Sequence, residues 1–218
     1  IFLRLSHVIG YLDEIKDQKL PVEEIAFTGG EPFLNKELPD MISECLRRGF
    51  RALVLTNAMK PLQLRREQLR LLKDQYGEAL VLRVSIDHYT RERHEKIRGS
   101  GTWRPMIEGL QWLSKNGFNL DVAGRTCWEE SEARVRVGYG ELFRREGIDI
   151  DESDPARLVL FPEMDASIDV PEITASCWDL IGIKPETIMC ATSRMIVHKK
   201  NASAPVIVPC TLLPYDQA

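Results

Sequence analysis

The residues best suited to chemistry recur at one kind of place, just after a short apolar run. The first group is Thr28-Gly29-Gly30-Glu31-Pro32, which follows Ile25-Ala26-Phe27. Paired glycines let a backbone turn sharply and approach a ligand closely, because no Cβ intervenes. Glu31 sets a carboxylate beside those bare amides, and Pro32 biases it away from helical geometry. A carboxylate placed there suits a cation, such as the ammonium of an amino acid. Thr56-Asn57 close the run 51–55, where turn chemistry and helix capping would use the same residues. Ser85 and Asp87 close the run 79–86. Two apart on an extended chain, they point to one side, and a hydroxyl beside a carboxylate suits a sugar or another polyol. Arg98 ends the charged stretch 88–99, and Arg125 lies near the end of the run 118–126. Either guanidinium could clamp a carboxylate, with a salt bridge the plainer use of Arg125. His88 and His94, in the same charged stretch, read as polar surface rather than as general bases.

The elements that must position these groups alternate in period. Apolar runs at 25–28, 51–55, 79–86, 118–126 and 157–161 predict strands, the first of them buried. Helical spacing predicts helices over 6–18, 35–48, 63–76, 102–116 and 129–147. In the second helix Met41, Ile42, Cys45 and Leu46 share a face, and Cys45 reads as a packed core thiol. In the third, Leu64, Leu69, Leu71 and Leu72 are expected to face inward. Strands alternating with helices make parallel sheets through right-handed crossovers. Polar residues at each strand's C-terminal end favour an α/β fold of the partial (β/α) TIM-like barrel type. No Gly-x-Gly-x-x-Gly follows the first strand, so a dinucleotide site is not supported. The barrel is expected to occupy 1–165. A small C-terminal extension, 166–218, is expected to carry a β-hairpin with strands over 187–198 and 204–213 and its loop at 199–203.

Composition narrows the class. The 218 residues are 44% hydrophobic and 28% charged, an ordinary soluble globular balance with room for one sizeable core. A formal net charge of −4 offers no basic field for nucleic acid. No run approaches the roughly 18 apolar residues that cross a membrane, and no signal peptide is visible, so a cytoplasmic location is expected. The five cysteines, Cys45, Cys127, Cys177, Cys190 and Cys210, are odd in number and widely spaced, which argues against a disulfide framework.

Taken in order, Thr28-Gly29-Gly30-Glu31-Pro32, Leu55-Thr56-Asn57-Ala58, Ser85-Ile86-Asp87, Ile97-Arg98-Gly99 and Gly101-Thr102-Trp103 resemble the radical SAM superfamily over Ile1 to Met164. They are similar in particular to the subgroup that includes peptide-modifying and molybdopterin-precursor enzymes. The resemblance implies that Gly29, Gly30 and Glu31 hold the amino group of S-adenosylmethionine. It implies that Ser85, with Asp87, meets the ribose, and that Arg98, with Arg125 as a second candidate, pairs with the methionine carboxylate. The implied chemistry is reductive cleavage of S-adenosylmethionine by a [4Fe–4S] cluster, giving a 5′-deoxyadenosyl radical that abstracts hydrogen from a peptide or small metabolite. A reducing donor such as flavodoxin or ferredoxin is implied with it.

The family's Cys-x-x-x-Cys-x-x-Cys loop is absent from these residues, and its ligands are expected upstream of residue 1. Relatives with cysteine-rich extensions bind auxiliary clusters, which makes Cys190 and Cys210 candidate ligands of an auxiliary Fe–S cluster. A complete site wants about four ligands, and the extension offers Cys177, Cys190 and Cys210. Two other readings remain at this point. One is a non-catalytic S-adenosylmethionine-binding scaffold that has lost its cluster. The other is a cluster-free α/β barrel enzyme using Glu31 and Asp87 as acid and base.

Overall fold

Runs of period two become parallel strands, and the amphipathic stretches between them become the helices that cross back. A computed structural model describes residues 2–126, 130–162, 174 and 176–209. The chain forms two compact units, Ile9–Met164, and Ile1–Val8 with Asp165–Ala218. In the larger unit β1 (Glu24–Phe27), β2 (Arg51–Thr56), β3 (Leu80–Ser85), β4 (Asn119–Thr126) and β5 (Leu158–Pro162) form one parallel sheet in chain order. Helix α1 (Leu5–Asp17) begins before β1. Then α2 (Leu38–Arg47) links β1 to β2, α3 (Lys60–Gln63) and α4 (Arg66–Tyr76) link β2 to β3, α5 (Arg91–Arg98) and α6 (Trp103–Lys115) link β3 to β4, and α7 (Glu132–Glu146) links β4 to β5. The result is a partial (β/α) barrel.

Alternation along each strand separates two faces. Ala52, Val54, Leu80, Leu82, Val84, Ile86, Leu120, Val122 and Leu158 are buried, and the helices supply Met41, Ile42, Leu69, Met106, Leu110, Leu113, Val135 and Tyr139 to the same core. Cys45 is fully buried there. The opposite face carries Arg83, Ser85, Asp121, Ala123 and Arg125. Asp121 accepts from Arg83 Nη2 at 3.1 Å and from Arg157 Nη1 at 3.4 Å. Crossover geometry also explains two glycines inside helices. A Cβ at Gly109 would lie 1.8 Å from the carbonyl oxygen of Ala58, and one at Gly138 would lie 2.6 Å from the ring of Tyr89.

Several expectations need correction. Strand β1 is not buried as a whole: Phe27 is, while Glu24 and Ala26 are exposed, because among the described residues it pairs on one side only, with β2. The helix expected over 63–76 is broken after α3, and α4 starts afresh at Arg66. Leu69 and Leu72 are buried, but Leu64 is 71% and Leu71 63% exposed. Leu71 stands about 200° round the helix from Leu69, on the far face. The charged stretch 88–99 contains a true helix, α5. It buries His94, and His88 before it is buried as well, so neither is polar surface.

In the smaller unit α8 (Cys177–Ile181) and α9 (Met189–Thr192) precede a hairpin of β6 (Met195–Val197) and β7 (Val206–Val208), antiparallel with Met195 opposite Val208. The strands are shorter than expected. Pro185 opens a 3-10 turn at 185–187, Ile188 is extended, and α9 starts at once at Met189, so Cys190 sits on a helix rather than a strand. The end of the expected second strand, with Cys210, lies outside the described residues.

Candidate functional site

Four of the strands end in polar residues on one rim, and two carboxylates tie that rim together. Glu31 follows β1 in extended geometry and is 6% exposed. Its Oε1 accepts the Phe33 N–H at 3.1 Å and the Thr56 hydroxyl at 2.9 Å; its Oε2 accepts the Asn57 N–H at 2.8 Å. The Thr56 hydroxyl in turn accepts the Ala58 N–H at 3.1 Å. Glu31 therefore joins the end of β1 to the end of β2. An ionised carboxylate offers about four lone-pair directions, so three donors leave it about one for a ligand. Gly29 and Gly30 before it are different in kind. Both are exposed, neither makes a hydrogen bond among the described residues, and a Cβ on either would meet nothing within 4 Å. Gly29 has φ +145°, which favours glycine.

The second carboxylate is Asp87, buried just past β3. It accepts from Arg98 Nε on α5 and from Arg125 Nε on β4, the latter at 2.9 Å, with Arg98 Nη2 at 3.4 Å. Burial works against its charge, but the hydrogen bonds and charge of Arg98 and then Arg125 outweigh it and hold the carboxyl below its ordinary value. Two guanidiniums on one carboxylate leave a net positive charge at the rim, and their outer N–H groups remain free to turn toward an anion.

Ser85 lies two residues before Asp87 and lines a pocket of about 210 Å³ with Asn57, Met59, His94, Arg98, Thr102 and Met106. Ser85 and Arg98 are thus brought together. Glu31 reaches the same pocket only through Asn57, whose N–H it accepts, and Arg125 reaches it only through Asp87. The sequence did not single out His94, Met59 or Met106 for this place. The i,i+4 spacing of His94 and Arg98, once α5 is known to be a helix, puts them on one face.

A neighbouring cluster supports the rim from outside. His88 is fully buried, and its Nδ1 accepts the Thr90 N–H at 2.9 Å, which leaves the proton on Nε2, 3.3 Å from Glu130 Oε2. Glu130 also accepts the Tyr89 hydroxyl at 3.1 Å and pairs with Arg93 at 2.9 Å. Burial lowers the His88 pKa although the Glu130 hydrogen bond and charge oppose it. Tyr139 donates to the Ile86 carbonyl at 2.5 Å and so fixes the end of β3 from α7.

No group of three or more His, Cys, Asp or Glu side chains among the described residues is arranged to hold a metal ion. Cys190 is exposed, Cys177 is half-buried, and Cys210 and Cys127 lie outside the described residues. The described residues therefore fit S-adenosylmethionine, through an open Gly-Gly backbone and a donor-rich pocket, while among them no set of side chains is arranged to hold an iron–sulfur cluster.

The family model of the radical SAM superfamily matches residues 2–126, more than half of the chain. The chain belongs to the radical SAM superfamily. Among curated relatives of this radical SAM chain, Fe-coproporphyrin III synthase of Methanosarcina barkeri is 32% identical over 112 residues, 51% of this chain and 26% of that protein. The antilisterial bacteriocin subtilosin biosynthesis protein AlbA of Bacillus subtilis is 27% identical over 115 residues, 50% of this chain and 25% of that protein. The matched stretch is thus about a quarter of the length of each relative. The fold is shared with SuiB of Streptococcus suis bound to S-adenosylmethionine, at a TM-score of 0.57 and 13% identity, over 76% of this chain and 35% of that one. It is shared also with SuiB bound to precursor peptide SuiA, at a TM-score of 0.51, 13% identity, and 68% and 32% coverage.

Proposed function

We propose that this chain is the S-adenosylmethionine-binding part of a radical SAM enzyme that acts on a peptide. The observation that carries the proposal is the rim itself: an exposed Gly29-Gly30 backbone leads into Glu31, which holds the Asn57 N–H, and Asn57 lines the pocket in which Ser85 and Arg98 stand together. In this reading the Gly29 and Gly30 carbonyls and the remaining lone pair of Glu31 receive the ammonium. Ser85 meets the ribose. Arg98, with Arg125 beside it, turns its outer N–H groups to the methionine carboxylate. Asp87 orients both arginines by holding their Nε atoms, rather than meeting the ribose itself. When bound, the family's [4Fe–4S] cluster supplies the electron that splits S-adenosylmethionine into methionine and a 5′-deoxyadenosyl radical, which takes hydrogen from the substrate. Reduced flavodoxin or ferredoxin is the proposed source of that electron, and the cytoplasm the proposed location. Among the described residues no helix is long and apolar enough to cross a membrane.

A peptide is preferred to a small metabolite as substrate because AlbA is a bacteriocin biosynthesis protein and SuiB is seen with a precursor peptide. An acid–base role for Glu31 and Asp87 fits poorly. Three donors leave Glu31 about one lone pair, which this reading gives to the ammonium, and two guanidiniums hold Asp87 in its charged form, with its pKa lowered away from the working pH that a proton shuttle needs.

The test is anaerobic reconstitution of the complete protein with iron and sulfide, followed by dithionite and S-adenosylmethionine. The expected result is 5′-deoxyadenosine, with its loss in Gly30→Val. A loaded cluster that yields no nucleoside would assign the protein a binding or scaffold role instead.

A further inference from the structure

One member of the pocket has no hydrogen-bond partner for its side chain among the described residues. His94 is 2% exposed, its Nδ1 is buried without a hydrogen bond, and neither ring nitrogen bonds to any described residue. Buried polar groups are ordinarily satisfied, and a nitrogen left over beside a pocket marks a place where something else completes it. The ring packs edge-on to Trp103, with centroids 5.4 Å apart, so its orientation is set by contact alone. We propose that His94 is a positioning residue for the pocket's ligand, donating an imidazole N–H to an oxygen at the end held by Arg98 and Ser85.

The surroundings agree on the chemistry of that ligand. Arg98 brings only donors, and Ser85 and Asn57 have donors to offer, while the Thr102 hydroxyl gives its proton to the Gly99 carbonyl at 2.7 Å. Met59 and Met106 close the wall with apolar surface. A pocket so lined takes a ligand whose near end carries acceptor oxygens, a carboxylate or a sugar hydroxyl, and whose other parts tolerate thioether contact. Burial lowers the His94 pKa, against the pull of the Asp87 charge and with the help of Arg98, which favours the neutral ring. A neutral ring retains one N–H to give and one lone pair for water or a hydroxyl. The role rests on the S-adenosylmethionine reading above, and the ligand atoms in question are those of its methionine carboxylate or ribose.

The alternative is that His94 simply packs against Trp103. A phenyl ring would then serve as well or better, since it fills similar space without a polar atom. The experiment compares the full chain with His94→Phe and His94→Gln. S-adenosylmethionine affinity is measured by calorimetric titration, and melting temperature is measured without ligand. The expected result is that His94→Phe melts no lower than the parent yet binds about tenfold more weakly, as the loss of one hydrogen bond implies. His94→Gln, which keeps a polar donor, recovers most of the affinity. Binding by His94→Phe within about twofold of the parent, a factor too small for a lost hydrogen bond, would overturn the proposal. So would a lowered melting temperature in His94→Phe with Gln giving no rescue of binding. A parent chain that does not bind S-adenosylmethionine at all would instead remove the reading on which this role rests.

Discussion

Replacing Glu31 by Gln tests whether the rim carboxylate works as a latch before any ligand arrives. The side chain keeps its size, but one acceptor oxygen becomes an NH2 donor. If that NH2 takes the Oε2 place, it opposes the Asn57 N–H, now accepted at 2.8 Å; if it takes the Oε1 place, it opposes the Phe33 N–H, accepted at 3.1 Å. In either orientation one backbone donor of a nearly buried turn is stranded, at about 1–3 kcal/mol. The surviving bonds lose their charge assistance, which adds about 1 kcal/mol. The sum is roughly 2–4 kcal/mol, which for a chain of this size lowers the melting temperature by about 4–16 °C. The assay is thermal unfolding without ligand of Glu31→Gln, Thr56→Val and the double variant. Because Thr56 donates to the same carboxylate, the two effects should fall short of additive by about 1 kcal/mol. A Glu31→Gln protein that melts within about 1 °C of the parent, with additive effects in the cycle, would refute the latch and leave Glu31 to ligand binding alone.

Gly109→Ala should cost about 3 kcal/mol or more in denaturant titration, because the new Cβ meets the backbone oxygen of Ala58 at 1.8 Å and no rotamer can relieve it; an unchanged midpoint would mean that α6 packs differently. Acid should weaken the fold early. His88 and His94 have folded pKa values below the ordinary histidine value of about 6.5, so between the two values the unfolded chain binds more protons. Their stabilising effect is complete above about pH 6.5 and declines as pH falls toward the folded values, with a slope of at most about 1.4 kcal/mol per pH unit for each. Urea midpoints measured from pH 8 to pH 5 should show this fall, and His94→Phe should flatten part of it. Cys45, whose thiol burial pushes to about 12, should resist iodoacetamide at pH 8 under conditions that label the exposed Cys190; equal labelling in peptide mass spectrometry would contradict the buried assignment.

Much of this architecture was legible because period and punctuation agree. The strands end where Gly, Thr-Asn or Ser-x-Asp interrupt apolar runs, and Gly49 follows α2 at φ +90° as a helix stop should. Failures came where tertiary contact overrides the local pattern. Helix α5 has no apolar stripe, since its Arg, Glu, His and Lys residues read as solvent-facing. It is fixed instead by Glu95, which accepts the Gly101 and Trp103 N–H groups, and by burial of His94 against Trp103. Leu71 is apolar and exposed because it stands about 200° round α4 from the buried Leu69, on the solvent face. The pairing of Asp87 with Arg98, 11 residues on, was within reach of local reasoning. Its pairing with Arg125, 38 residues on, needed β3 and β4 to be neighbours.

The rim also separates two kinds of polar residue that look alike in a sequence. Glu31 and Asp87 draw attention as carboxylates in glycine- and serine-bearing motifs, yet the fold already uses both: one spans two strand ends and the other aligns two arginines. What is left unspent is mostly donor capacity, in the outer nitrogens of Arg98 and Arg125, the Ser85 hydroxyl, the Asn57 side-chain amide and the His94 ring nitrogens, which bond to no described residue, with the bare Gly29-Gly30 backbone open as well. A site so divided favours a ligand that brings acceptors to the pocket and a cation to the glycine turn. A zwitterionic amino acid joined to a nucleoside has that pattern of charge. The carboxylates therefore act chiefly on the shape of the rim, and under the proposed function the selectivity for such a ligand falls to the donors around them.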